Sequence, residues 1–291
     1  MAKVSIPIAV PLDLRRTLAP LHGTFREGAW WYTARTGDGP ATLRVTRTAT
    51  TLDGEAWGGG AGRLLERLAG IGGLEDKPET FVSGHPVVSE LHRRNLGLRF
   101  AATGDVFSQL VVAIVGQKVT GAEAGRAMAG LGRVFSDPAP GPVPGLKLPP
   151  DPERIAGARY WDLHPLHLEK KRAETLITAA RKAKLIESLA EVAAAAATET
   201  LLTLPGVGPW TVAETLARSH GDPDQVSVGD YHIKNLVVYH LTGMARGTDQ
   251  EMLELLEEFR PHRGRVIRLL HQLGHAPKFG PRSAPRNITR I

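Results

Sequence analysis

From Pro86 onward, apolar residues recur at three- and four-residue spacings, with few residues that favour strands. That period predicts helices over 87–95, 106–115, 122–135, 172–184, 186–197, 210–220, 231–240, 250–259 and 264–273. So many short amphipathic helices can bury their apolar stripes only against one another, so residues 85–276 read as an all-helical domain. The stretch 137–150 carries Pro138, Pro140, Pro142, Pro144, Pro149 and Pro150. It cannot be helical and reads as a semi-rigid connection within that domain. The alanine run 193–197 reads as ordinary helix of high propensity.

Residues 1–84 mix periods. A short amphipathic helix is expected over 11–18, and alternation predicts strands at 30–35 and 41–47 around the turn Gly37-Asp38-Gly39-Pro40. After the glycine triplet 58–60, a second helix is expected over 61–68. The fold class is therefore mainly α, with a small α+β N-terminal domain (1–84), a helical domain (85–276) and a basic C-terminal tail (277–291). The tail holds Lys278, Arg282, Arg286 and Arg290 and no acid; it reads as a solvated tail or as an arm for an anionic partner.

Across its 291 residues the chain is 42% hydrophobic and 23% charged, enough to bury a core. Its net charge of +6 and pI of about 9.7 favour a polyanionic partner, though they equally suit many basic soluble proteins. Absence of cysteine excludes disulfides, a zinc–thiolate site, a cysteine nucleophile and a cysteine-ligated iron–sulfur cluster. Prolines interrupt the N-terminus too early for a signal peptide, and no run approaches the ~20 apolar residues needed to cross a bilayer, so a cytoplasmic protein without a membrane partner is expected.

The most informative segment is Leu204-Pro205-Gly206-Val207-Gly208-Pro209-Trp210-Thr211. Two glycines at a spacing of two permit a tight turn and a close backbone approach, and Pro209 suits the first turn of the helix that follows. Unsatisfied amides at that helix start, with the positive end of its dipole, can receive a phosphate. The same residues also suit a helix–helix corner in which Leu204 and Val207 pack for structural reasons. Downstream lies Val226-Ser227-Val228-Gly229-Asp230-Tyr231, where a short extended run leads to an aspartate at the N-cap of the next helix. A capping role alone would account for Asp230.

Hairpin and aspartate together resemble the helix-hairpin-helix (HhH-GPD) DNA glycosylase superfamily. The order of elements matches from about Val82 to His275, and within the superfamily the 3-methyladenine DNA glycosylase II family also sets a small α+β domain before the helical one. The resemblance implies that Gly206, Val207, Gly208 and Thr211 hold a DNA phosphate while Asp230 is the catalytic carboxylate facing the sugar of a nucleotide rotated out of the duplex. Bifunctional members carry a lysine nucleophile two residues after the second hairpin glycine; here that residue is Trp210. The implied activity is monofunctional hydrolysis of the N-glycosidic bond of damaged, alkylated purine bases in duplex DNA. No cofactor is required, there is no iron–sulfur cluster, and a monovalent cation at the hairpin carbonyls is left open. The protein is expected to be a monomer, nucleoid-associated in a prokaryote.

The segment Val111-Val112-Ala113-Ile114-Val115-Gly116-Gln117-Lys118 looks like the family's apolar helix leading into Gly-Gln. By that likeness Gln117 and Lys118 approach the gap left by the flipped nucleotide, with Lys118 where an apolar wedge often stands; a core helix with a polar end is the alternative. Trp210, Glu214 and Leu273 fall at the base pocket, and the latter two replace aromatic rings. Glu214 would then attract a cationic base, or simply face solvent as glutamates on helices do. These departures keep open a catalytically altered DNA-binding or damage-sensing protein. The pairs His164/His167 and His271/His275 lack the acidic partners of a metal site, and the run 169–172 reads as a solvated helix start or as a contact for phosphates. Trp30-Trp31-Tyr32 offers a stacking platform, but neighbours on a strand face opposite ways, so at least one belongs to the core.

Overall fold

The structure is a computed structural model describing residues 1–277 and Ile288. The basic stretch beyond Pro277 otherwise lies outside the described residues. In the N-terminal region β1 (Ala2–Pro7), α1 (Leu14–Leu18), β2 (Thr24–Arg26), β3 (Ala29–Thr36), β4 (Gly39–Arg47) and β5 (Thr51–Gly58) precede α2 (Ala61–Glu66) and α3 (Leu68–Ile71). The strands form one antiparallel sheet in the order β1-β5-β4-β3-β2. Alternation located β3 and β4. It missed β1, β2 and β5: β1 is a mostly exposed edge strand that ends at Pro7, β2 is three residues long, and β5 carries Gly54 in its middle. Leu68 needs that glycine, since a Cβ there would lie 2.7 Å from its side chain. Trp30, Trp31 and Tyr32 are all buried, so none is a stacking platform. Trp30 stacks on Tyr32 on one face and Trp31 on Trp57 on the other.

The second face is covered by the proline-rich segment 137–150. Its Pro140 and Gly141 lie against Gly58 and Trp57, Thr33 Oγ1 donates to the Lys147 carbonyl (2.7 Å), and Arg35 pairs with Asp137 (2.6 Å). The segment is thus more than a connection within the helical region: it straps the sheet to it.

After the sheet come α4 (Pro86–Arg94), α5 (Val106–Gly116), α6 (Gly121–Val134), α7 (Pro152–Gly157), α8 (Tyr160–Leu163), α9 (Lys170–Arg181), α10 (Ala183–Ser188) and α11 (Ala194–Leu202). Then follow α12 (Pro209–Ser219), α13 (Ile233–Thr242), α14 (Asp249–Glu257) and α15 (Arg263–Leu270). Among the described residues, no helix is long and apolar enough to cross a membrane. Leu110, Ile114, Leu131, Leu176, Leu201 and Leu216 centre one core built from α5, α6, α9, α11 and α12. Val88, Leu236, Met252, Phe259 and Leu270 centre another, between α4 and α13–α15. The continuous helix expected over 186–197 is broken. His220 Nε2 donates to the Leu189 carbonyl (3.0 Å), and Val192 and Ala193 are extended before α11 starts. Alanine propensity favours helix on both sides of this break and cannot place it.

Sheet and helices meet at a buried acidic pair. Asp105 caps α5 by accepting from Ser108 N (3.2 Å) and also accepts from Tyr32 Oη (3.0 Å), while Glu187 accepts from Phe107 N (3.0 Å). Burial, reinforced by Asp105, pushes the Glu187 pKa from an ordinary 4.5 up to about 9. The folded protein therefore holds a proton there that the unfolded chain has released, so this contribution to stability is complete below about pH 4.5 and fades as pH rises towards 9. Urea unfolding followed across that range should show the midpoint falling with pH, with most of the slope absent in Glu187→Gln. An equal slope in that variant would show that Glu187 does not carry the proton.

Candidate active site

Leu204 and Val207 are buried in the core beside α5 and α9, and this seats the corner between α11 and α12. Gly206 has φ +83°, and a Cβ there would lie 2.0 Å from Thr175 Oγ1 on α9, so only glycine permits this approach. The Gln117 side chain at the end of α5 braces the turn, its Nε2 donating to the Gly206 carbonyl (2.9 Å) and to Thr211 Oγ1 (2.8 Å). Gly208 is the N-cap of α12 and Pro209 its first residue. Among the described residues, the amides of Gly206, Gly208, Trp210 and Thr211 donate to no protein acceptor. The geometry is an anion cradle made of backbone. Thr211 can take part only through its amide, because its side chain is buried with its hydroxyl engaged by Gln117. Val207 is likewise a packing residue.

Lys118 follows Gln117 on the turn between α5 and α6. It is exposed, at φ +54°. A non-glycine residue in the left-handed region marks a constrained turn.

Asp230 lies two residues ahead of the expected place: α13 starts at Ile233 and its N-cap is His232. The left-handed Gly229 (φ +89°) and the hydrogen bond from Asp230 N to the Ser227 carbonyl (3.1 Å) end the extended run in a turn. The carboxylate still does a cap's work, since Oδ1 accepts from His232 N (2.7 Å) and Ile233 N (3.0 Å). Its other oxygen, Oδ2, accepts from Trp210 Nε1 (3.3 Å). The Trp210 ring in turn lies against Gly116, where a Cβ would sit 3.4 Å from its edge. Direct contacts thus join the end of α5, the hairpin, Trp210 and Asp230.

Of the two remaining pocket residues, Glu214 differs from expectation. Glu214 neither faces solvent nor offers a free carboxylate to a base, because Oε2 pairs with Arg218 (2.7 Å) and Oε1 accepts from Ser227 Oγ (2.5 Å). Leu273 is 46% exposed, on a short turn after α15 that is fastened to α13 by a hydrogen bond between His240 Nε2 and the Gly274 carbonyl (3.1 Å). His271 on the same turn has its pKa lowered, chiefly by burial and also by His275, while Asp230 acts in the opposite direction.

Two residues of the site carried no signal in one dimension. Ser227 anchors the turn at one end, and Asp249 accepts from Gly229 N (3.0 Å) at the other. The capping box of Thr248 and Glu251 marks where α14 begins, but nothing along the chain pairs Asp249 with Gly229. Among the described residues no three His, Asp or Glu side chains gather to hold a metal. An ion at the hairpin carbonyls would share Gly206 O with Gln117 and Leu204 O with the Val207 amide, so both are already engaged. A separate cavity of about 260 Å³ between sheet and helices, bounded by Trp31, Val112, Met128 and Leu148, includes none of the site residues.

No family model matches the chain. DNA-3-methyladenine glycosylase 2 of Escherichia coli is 29% identical over 211 residues, 71% of this chain and 70% of that one. YfjP of Bacillus subtilis, whose name assigns it provisionally to the DNA-3-methyladenine glycosylases, is 30% identical over 117 residues, 39% of this chain and only 41% of that relative. The 3-methyladenine DNA glycosylase of Archaeoglobus fulgidus shares the fold at a TM-score of 0.75 and 18% identity, over 92% of this chain and 97% of that one. The 8-oxoguanine glycosylase/lyase of Clostridium acetobutylicum does so at 0.73 and 13% identity, over 93% and 95%. The chain thus shares the fold of these two glycosylases over almost its whole length, and it is similar in sequence to DNA-3-methyladenine glycosylase 2 over most of it.

Proposed function

We propose that the protein is a monofunctional DNA glycosylase that hydrolyses the N-glycosidic bond of alkylated purines in duplex DNA, acting as a monomer and without a required cofactor. The observation that carries this reading is the divided Asp230 carboxylate: one oxygen is fixed by two amides of α13, and the other is held at Trp210, close to the hairpin.

The chemistry follows from that division. Free amides of Gly206, Gly208, Trp210 and Thr211 receive a phosphate at the positive end of α12. Rotating the nucleotide out of the stack costs a few kcal/mol, less for a poorly paired base. Breaking the glycosidic bond leaves an oxocarbenium-like sugar, and a carboxylate whose position is already set stabilises that charge and orients the attacking water. A base made cationic by alkylation leaves without being protonated. The Trp210 face favours it by about 1 kcal/mol, more when water is excluded. With tryptophan where a lysine nucleophile would stand, no Schiff base forms and the strand stays intact at the abasic site.

Asp230→Asn retains an oxygen to cap α13 but removes the charge. It should fold normally, bind abasic duplex normally and release base at least about 100-fold more slowly; near-normal release would remove Asp230 from catalysis. Lys118→Ala should weaken abasic-duplex binding and lower the salt slope of that binding by about one. An unchanged slope would take Lys118 off the DNA face.

A further inference from the structure

In the turn from Ser227 to Asp230, Ser227 is buried and Val228 packs half-buried against the core of α4 and α13–α15, while Gly229 beside Asp230 is exposed. The turn is held from outside. Ser227 is its first residue, since its carbonyl accepts the amide of Asp230 (3.1 Å) and its hydroxyl donates to Glu214 Oε1 (2.5 Å). Glu214 lies one helical turn after Trp210 on α12, with a side chain only 21% exposed. Its second oxygen is fixed by Arg218 Nη2 (2.7 Å). Arg218 is fixed in turn through Nη1 to the Glu214 carbonyl (2.6 Å) and through Nε to the Pro20 carbonyl (3.1 Å). The chain of bonds therefore runs from the N-terminal region through α12 into the turn that ends at Asp230.

We propose that Glu214 is a positioning residue: through Ser227 it holds Asp230 so that Oδ2 stays at the Trp210 indole and in reach of the reacting sugar. This rests on the reading of Asp230 as the catalytic carboxylate. Arg218 neutralises the charge of Glu214, so what the site needs from residue 214 is a fixed acceptor for the Ser227 hydroxyl, not a negative field on the base. A misplacement of about 1 Å at a reacting group costs on the order of 100-fold in rate, so a clamp one step away from the carboxylate can matter as much as a group that touches substrate.

The test compares Glu214→Gln, Glu214→Ala, Ser227→Ala and the double alanine variant by single-turnover base release from methylated duplex. It also measures affinity for abasic duplex and the NMR signal of the Trp210 indole N–H, identified by its loss in Trp210→Phe. Ser227→Ala removes one hydroxyl and keeps the fold available should Glu214→Ala unfold. Each alanine variant should slow release about tenfold to a hundredfold with affinity unchanged, and both should move the indole signal. The double variant should lose no more than either single one, and Glu214→Gln should stay within about threefold of the parent. Multiplying losses in the double variant, a Gln variant as slow as the Ala variant, or an unmoved indole signal would each overturn the proposal. If the parent protein releases no base, the glycosylase reading fails on its own, and the indole signal still decides whether Glu214 holds Asp230 in place.

Discussion

Two amides at the start of α13 hold Oδ1 of Asp230, and the rest of the site is arranged around that bond pair. It stabilises the helix start by roughly 1 kcal/mol, as a side-chain cap does. It also orients the carboxylate so that Oδ2 meets the Trp210 indole. Capping engages one oxygen and leaves the other at the Trp210 indole, so the capping and proposed catalytic readings of Asp230 are compatible.

The hairpin depends on a comparable economy. Gly206 sits too close to Thr175 for any side chain, and Gln117 spends its amide on the turn, so the backbone cradle is rigid without a basic residue in it. Helix α12 carries Trp210 at its start and Glu214 and Arg218 along its length, and the extended run that follows returns to α12 through Ser227. One helix thus links the hairpin's free amides, the Trp210 ring and the anchor of the turn that carries Asp230.

Local signals in the sequence read well wherever local physics decides. Helices α5, α6 and α12 have strong apolar periodicity and recognisable starts at Asp105, Thr120 and Gly208-Pro209, and they lie within a residue or two of expectation. The corner between α11 and α12 was legible because glycine spacing and an N1 proline mark a tight turn into a helix start. What stayed hidden depends on partners distant in the chain. The break at Val192 answers to His220, the strap of prolines answers to Trp57, and the fate of Glu214 answers to Ser227 and Arg218. Resemblance suggested that residue 214 meets the base. The pairing actually made there is invisible without three dimensions.

The most direct test of the central claim is to incubate the unmodified protein with methylated duplex DNA, quantify free base, and inspect the strand before and after alkali. Release of alkylated purine, with strands intact until alkali cleaves them, is the result this account predicts. Tight, salt-sensitive binding with no base released, or strand scission without alkali, would contradict it.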